Sequence, residues 1–423
     1  MTTTLAVLVA AAVAWLIAHF VADWVQERFL VTSGSEYMLL GVLLGPVPLI
    51  ALIFGSDNSF SLINQDTLRQ LDPLMSLAIG WVGLTYGANL SPTRVLARGR
   101  GAITLSLVAT STTFAVVAGT SWFVLDWVWT GDLSTVDRLG AATSLGAAAA
   151  VSSPTVLRRI KAKFDAKGPT SKVLAQSGRL DEMLGILGFG VIFCFFHGDS
   201  SNLERAITPT EWFVISVALG LLLGLLFRFF LKDEDNRDKQ FLSLVGIIVF
   251  ASGSAHFLEL SPLLVNAVMG LAMMVGVDDQ VSERILSVLE RSRRPMYIVM
   301  LIFAGATWLP IPGIAWLFVA GYVVLRFGAR LLSGWTSSVF LSGEIRRDIG
   351  RGLLPQGEVA VAMALNLTLV FGGRPVMAWV FSAILASVLL NEIWSARMLQ
   401  GLLIDAGDIR HTAATETSEA EKA

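Results

Sequence analysis

The sequence is short of residues that soluble and secreted proteins commonly use. Among its 423 residues there is one cysteine, Cys194, and there are only four histidines and four tyrosines. A single cysteine excludes an intramolecular disulfide framework and a metal site built from several cysteines. Charge is scarce as well, because 31 basic and 33 acidic residues make up only 15 % of the chain, against roughly 25 % in soluble domains.

Apolar residues take the place of the missing charge. They account for 54 % of the chain, and the mean hydropathy is +0.67. A soluble core of this length could not hide so much apolar surface while leaving so few charges to face water. The composition therefore predicts an all-α polytopic membrane protein. It excludes a soluble enzyme, a secreted disulfide scaffold and a nucleic-acid-binding protein, and it gives no reason to expect a cofactor.

Runs long enough to cross a bilayer recur along the chain. A hydrocarbon core of roughly 30 Å requires about 20 mostly apolar residues in a helix. The sequence predicts 13 such spans, at approximately 4–22, 38–54, 71–90, 102–125, 138–157, 172–196, 211–231, 241–258, 262–276, 296–309, 313–334, 351–372 and 376–400.

Basic residues indicate the orientation of these spans. One side of the predicted topology carries 26 of the 31 Lys and Arg residues, including the group Arg326–Arg351, and the other side carries four. Because basic loops stay in the cytoplasm, we expect the N-terminus outside and the C-terminus inside, in the cell inner membrane. Residues 1–404 then form the membrane domain and 405–423 a disordered cytoplasmic tail, with no fused nucleotide-binding domain.

Two adjacent carboxylates lie in the middle of the sixth predicted span. Asp181 and Glu182 are about ten residues from its cytoplasmic end, which is roughly 15 Å deep. Ionisable groups at mid-membrane cost at least a few kcal/mol each, so their presence suggests a function. A carboxyl group that binds either a proton or a cation would suit exchange. The alternative is a structural ion pair between Glu182 and Arg179, although one arginine cannot neutralise both acids.

A proline interrupts the fifth predicted span. Pro154 removes a backbone donor and disfavours helical geometry before it, so the helix should unwind near Ser152–Thr155. Freed carbonyls and the hydroxyls of Ser152, Ser153 and Thr155 are hard oxygen ligands that suit small monovalent cations. An ordinary proline kink near a helix end is the alternative.

A second break is predicted in the twelfth span, at Pro355 and Gly357. Glu358 follows at once, at the positive N-terminal end of the next half-helix, so we expect it to compensate the helix dipole rather than to take part directly in transport. Two interrupted helices in different halves of the chain indicate a transporter built from inverted repeats. The charged residues inside the spans are taken to be Arg179, Asp181, Glu182 and Glu358.

Six segments follow one another in an order that is typical of a known family. They are Tyr37–Pro46 (YMLLGVLLGP), Leu74–Val95, SSPTV at 152–156, DEMLG at 181–185, Leu260–Met273 and PQGEVAVA at 355–362. Together they resemble the monovalent cation:proton antiporters, specifically the second branch of bacterial sodium or potassium/proton exchangers. The resemblance covers about residues 36–400.

This resemblance implies 13 helices with two inverted repeats and two crossed, unwound helices. It implies a core domain, near residues 138–196 and 296–400, that moves against a dimerising scaffold, so that the partners are protons, monovalent cations, the lipid bilayer and a second copy of the chain. Glu182 corresponds to the acid that binds the ion and protons, Asp181 to its neighbour and Glu358 to the dipole-compensating acid.

The sequence departs from the family pattern in three places. The tenth span lacks the lysine of some members and has Phe303 there, and Gln356 replaces a family arginine. Arg179 is an additional cation that could pair with a carboxylate in place of the lysine.

The sequence thus predicts a secondary antiporter of protons and Na⁺ or K⁺. Glu182 and Asp181 would hold the cation or proton, and Ser152, Ser153 and Thr155 would complete the coordination. Two alternatives stay open. One is a Na⁺-coupled symporter of an organic anion, for which Arg179 is the only candidate recognition group. The other is a transport-inactive membrane module that regulates a partner.

Overall fold

A computed structural model describes residues 34–45, 65–90, 99–129, 131, 133–197, 207–231, 237–277, 279–308, 311, 313–341 and 345–409. The first predicted span, most of the second, and the tail beyond Ile409 lie outside the described residues. Asp405 still belongs to the last helix, and Asp408 is buried and accepts a hydrogen bond from the backbone of Ser171 at 2.6 Å. The first residues of the predicted tail are therefore part of the packed domain.

The described residues form 14 α-helices, and no strand occurs among them. In chain order the helices are α1 (Ser35–Leu44), α2 (Gln65–Gln70), α3 (Asp72–Ala88), α4 (Arg100–Val128), α5 (Thr135–Ala149), α6 (Thr155–Phe164), α7 (Pro169–Phe195), α8 (Pro209–Leu231), α9 (Arg237–Phe257), α10 (Pro262–Met274), α11 (Asp279–Ala306), α12 (Gly313–Ser338), α13 (Gly357–Phe371) and α14 (Pro375–Asp405).

Five of these helices are long and apolar enough to cross a membrane. They are Arg100–Val128, Pro209–Phe229, Lys239–Phe257, Gly313–Ser338 and Pro375–Asp405. Helix α7 is as long as these, but it carries Arg179, Asp181 and Glu182 near its middle. The all-helical membrane architecture predicted from the sequence is confirmed.

From the third predicted span onward, each run coincides with a helix or with two shorter elements, although several ends move. The largest change is in the tenth span, predicted at 296–309, because α11 begins at Asp279. The apolar run that defines the predicted span begins only after a charge-rich segment. The helix continues through that segment because its other face is apolar, with Ile285 and Leu289 buried in the core.

Both predicted breaks are present, and they lie against each other. The fifth span divides into α5 and α6, and the twelfth into a 3₁₀ turn (Ile349–Leu353) and α13. The backbone N–H of Ser153 donates to the carbonyl of Pro355 at 2.8 Å. The amide of Gln356 donates to the carbonyl of Ala148 at 2.9 Å. Each break therefore satisfies backbone groups that the other leaves free.

Two arginines of α12 also contact the two breaks, and both are 0 % exposed. Arg326 donates to the carbonyls of Leu354 at 3.1 Å and Val151 at 3.3 Å, one in each break. Arg330 donates to the carbonyl of Ala149 at 3.0 Å. Assigning Arg326 to a cytoplasmic loop was wrong. The helix continues through both arginines because their charge meets the negative C-terminal end of α5.

Gly357 lets the two breaks approach closely. Its φ is +69°, in the left-handed region that favours glycine, and a Cβ added there would collide with the side chain of Ser153. Any larger residue at this position would therefore strain the backbone and push the two breaks apart.

We predict that Gly357→Ala destabilises the protein. The left-handed backbone alone costs roughly 1–2 kcal/mol for a residue with a Cβ, and the collision with Ser153 adds to this. The matched control is Gly373→Ala, because an added Cβ there meets nothing within 4 Å. Thermal unfolding of the purified variants in detergent, followed by tryptophan fluorescence, should show a lower midpoint for Gly357→Ala only. Equal midpoints would contradict the close approach of the two breaks at Gly357.

Candidate functional site

The two adjacent acids of α7 are both buried, and they face different surroundings. Asp181 is 0 % and Glu182 2 % exposed. Neighbouring residues on a helix point about 100° apart, so each acid meets its own set of neighbours. The structure thus separates the ligand set that the sequence predicts into two groups.

Asp181 is enclosed by hydrogen-bond donors and one arginine. Ser106 and Thr110 of α4 donate to its Oδ1 at 2.5 and 3.3 Å, and the hydroxyl of Ser152 donates to its Oδ2. A guanidinium nitrogen of Arg330 lies 3.9 Å from the same Oδ2. This carboxylate therefore joins α7 to α4, to α12 and to the first break, and both of its oxygens are occupied.

Glu182 is grouped with the other two predicted hydroxyls. The hydroxyl of Ser153 lies close to its carboxylate, and the hydroxyls of Ser153 and Thr155 lie 3.1 Å apart. Glu182 also lines a small cavity of about 50 Å³, together with Tyr86 and Arg179. Glu182 and the hydroxyl of Tyr86 give this small cavity hard oxygen ligands, whereas Ser153 and Thr155 line a separate, larger cavity.

A tyrosine and an arginine connect Glu182 to the second break. The Tyr86 hydroxyl lies 2.6 Å from Oε1 of Glu358 and 3.1 Å from Oε1 of Glu182. Arg293 of α11 donates to Glu358 at 2.6 Å and to the Tyr86 oxygen at 3.0 Å. Glu358 lies in the first turn of α13, as expected of a dipole-compensating acid, and it also forms an ion pair with Arg293.

The Tyr86 hydroxyl has one proton and cannot donate to both carboxylates at once. Its shorter contact is with Glu358, which Arg293 holds as an ion pair. When the Tyr86 hydroxyl donates its hydrogen bond to Glu358, its oxygen can only accept from Glu182. The contact between Tyr86 and Glu182 is then a hydrogen bond only if Glu182 is protonated and is the donor. The geometry therefore fits a site in which Glu182 is protonated.

Arg179 is not paired with either acid. Its side chain is exposed at the edge of the small cavity, and no ion pair joins it to Asp181 or Glu182 among the described residues. Charge compensation falls instead to Arg330, beside Asp181, and to Arg293, beside Glu358.

Sequence reasoning missed several residues of the site. Arg326 and Arg330 lie inside the predicted span 313–334, and a charge within an apolar run is the signal that identifies them. Arg293 gave no such signal, because its helix begins before the apolar run. The other missed contacts are made by uncharged residues, namely Tyr86, Ser106 and Thr110.

A larger cavity of about 450 Å³ opens beside the site. It is bordered by both breaks, through Ser153, Thr155 and Glu358, and by charged residues of α6, α11 and α14. Those charged residues are Arg158, Arg159, Glu290, Arg293, Arg294 and Glu392. In the predicted topology this cavity leads towards the cytoplasmic side.

Comparison with known proteins gives a match over nearly the whole chain. Residues 8–401 match the family model described as "Sodium/hydrogen exchanger, transmembrane". No curated protein sequence matches the chain.

Among solved structures, the chain resembles the sodium proton antiporter MjNhaP1 from Methanocaldococcus jannaschii at pH 8, at 15 % identity and a TM-score of 0.67, over 95 % of this chain and 99 % of that one. A map of the same antiporter gives 16 % identity and a TM-score of 0.61, over 94 % and 97 % of the two chains. At such identities the likeness shows a shared fold.

We predict that Arg330→Gln is strongly destabilising. Removing one partner of a buried ion pair typically costs about 3–5 kcal/mol, and here the carbonyl of Ala149 also loses a donor. The control is Arg346→Gln, whose pair with Asp348 is 2.9 Å long but exposed, so that a loss of about 0–1 kcal/mol is expected. Thermal unfolding should separate the two variants. The double variant Asp181→Asn/Arg330→Gln should recover part of the loss, and equal midpoints for the two single variants would refute the pairing.

Proposed function

Because the chain belongs to the sodium/hydrogen exchanger family, we propose that it exchanges protons for Na⁺ or K⁺ across the cell inner membrane. The proposal includes alternating access, a homodimer, an outside N-terminus and a cytoplasmic C-terminus. Glu182 is the group that carries the proton or the cation. The observation behind this assignment is that Glu182 borders a cavity together with the Tyr86 hydroxyl, whereas both oxygens of Asp181 are occupied.

Exchange follows from competition for one carboxylate. In the proton-bound state Glu182 donates to the Tyr86 oxygen. When the proton leaves, the anionic carboxylate needs a positive partner in its buried position, and a cation held by Glu182, Ser153 and Thr155 supplies it. The same carboxylate cannot hold both ions, so loading one releases the other.

Asp181 and Ser152 have a different role in this proposal. Asp181 accepts hydrogen bonds from Ser106 and Ser152 and faces Arg330, so it fixes the position of the first break against α7. Glu358, paired with Arg293, does the same for the second break. These acids position the carrier group and do not exchange their partners.

The site favours a cation over an organic anion as substrate. Symport of an anion would require a cationic group that is free to receive it inside the cavity next to Glu182. Arg179, the candidate from the sequence, is exposed at the edge of that cavity. The other two arginines in its lining have acidic partners, since Arg293 pairs with Glu358 and Arg158 lies 3.5 Å from Glu290. The oxygens around Glu182 are acceptors and hydroxyls, which suit Na⁺ or K⁺.

We predict that Glu182→Gln abolishes exchange while expression remains normal, because glutamine cannot alternate between a proton and a cation. The measurement is pH-dependent dequenching of acridine orange in everted vesicles, with Na⁺ or K⁺ added. Glu283→Gln is the matched control, because this exposed glutamate of α11 lines neither cavity.

Two outcomes would contradict the proposal. Full activity of Glu182→Gln would move the carrier role to another group. A wild-type protein without any Na⁺- or K⁺-dependent signal, from mildly acidic to alkaline pH, would exclude antiport and favour a transport-inactive module.

A further inference from the structure

Three charged residues line both the small cavity beside Glu182 and the larger cavity. They are Arg158 of α6 and Glu290 and Arg293 of α11. The Oε1 of Glu290 lies 3.5 Å from a nitrogen of Arg158 and 3.4 Å from one of Arg293. This cluster lies where the two cavities adjoin, so an ion that moves from the larger cavity towards Glu182 passes beside it.

The two arginines of the cluster lie next to groups of the proposed cation site. Arg158 donates to the hydroxyl of Thr155 at 3.3 Å, and Arg293 donates to the Tyr86 oxygen at 3.0 Å. Charges of the same sign repel each other, most strongly where little water screens them. A cation that approaches Glu182 therefore meets two positive groups.

Glu290 is the acid that offsets this positive charge in the small cavity. Three arginines, Arg158, Arg179 and Arg293, line that cavity, and its acids are Glu182 and Glu290. In the proton-bound state Glu182 carries no charge. Glu290 is then the one charged carboxylate among the lining residues that the structure describes.

The larger cavity depends on the same acid. It is lined by four arginines and three glutamates, so it has no excess of negative charge that would attract a cation. The side chain of Glu290 is 56 % exposed, whereas Glu358 and Glu392 are both buried. Among these three acids, Glu290 is therefore the one that faces an ion arriving through water.

We propose that Glu290 controls the access of cations to Glu182 by offsetting the two arginines beside it. Without this carboxylate, Arg158 loses its acidic partner and its charge repels an incoming cation. Glu290 acts on the approach of the ion and not on the movement of the protein, so its loss should change the KM for the cation more than the maximal rate. This role rests on the proposed exchange, whereas the local effect of the charge does not.

The local charge can be measured without any transport step. Ala162 is exposed, lines the larger cavity and lies one turn after Arg158. Ala162→Cys supplies a reactive thiol, and the wild type, whose single cysteine is buried, gives the background. The rate with a cationic methanethiosulfonate reagent divided by the rate with an anionic one reports the local potential, because the thiolate fraction cancels in this ratio.

Adding Glu290→Gln to Ala162→Cys should lower the ratio by about threefold or more. Adding Glu283→Gln, which removes the same charge two turns away on α11, should leave the ratio unchanged. The same ratio in the presence and absence of Glu290→Gln, or an equal fall with Glu283→Gln, would overturn the proposal.

Transport by reconstituted variants at constant ionic strength tests the consequence for exchange. Glu290→Gln should raise the KM for Na⁺ by about threefold or more with the maximal rate retained, whereas Glu290→Asp and Glu283→Gln should keep the wild-type KM. The double variant Arg158→Gln/Glu290→Gln removes both charges and should return the KM towards the wild-type value.

Two transport results would refute this role of Glu290. They are an unchanged KM in Glu290→Gln, and a KM in the double variant as high as in the single one. A wild-type protein that transports neither Na⁺ nor K⁺ would contradict the proposed function instead, and the thiol rate ratio would still test the charge at Glu290.

Discussion

The site depends on one constraint, namely that backbone groups freed inside a membrane must find partners within the protein. Two helices are interrupted at the same place, and each break uses the other: Ser153 donates to Pro355, and Gln356 donates to the carbonyl of Ala148. Three further carbonyls, of Ala149, Val151 and Leu354, accept from Arg326 and Arg330, which are buried in a long apolar helix. The unwound segments can therefore expose hydroxyls to a cavity without leaving their own backbone unsatisfied.

The two adjacent acids have different surroundings because a helix turns by about 100° per residue. Asp181 points to α4, α12 and the first break, where donors and Arg330 surround it. Glu182 points to the cavity and to Tyr86. Asp181 holds the first break in position, so that the hydroxyl of Ser153 stays close to Glu182, the acid that we propose changes its partner. A single substitution in the first group should thus affect stability, and one in the second should affect exchange.

Local features of the site could be predicted from the sequence, and contacts between distant segments could not. Proline chemistry located both breaks, and composition indicated the helical membrane fold. The acids were recognisable because charge is costly in an apolar run. By contrast, Tyr86 and Glu358 are 272 residues apart and Arg293 and Glu358 are 65 apart, and no spacing rule joins them. Arg293 lies outside the predicted tenth span, because hydropathy does not register the charged, amphipathic start of α11.

The ion pairs around the site distinguish the two acids with fixed partners from Glu182, the carboxylate that we propose exchanges its bound ion. Asp181 lies beside Arg330, and Glu358 is paired with Arg293. Each pair is close to neutral, and breaking either one would leave an isolated buried charge, which is strongly destabilising. Glu182 forms no ion pair within the described residues, although Arg293 lines the same small cavity, and it contacts the hydroxyl of Tyr86. In the exchange that we propose, its carboxyl binds a proton or a metal cation in turn, while the fixed pairs around it hold the two breaks in place.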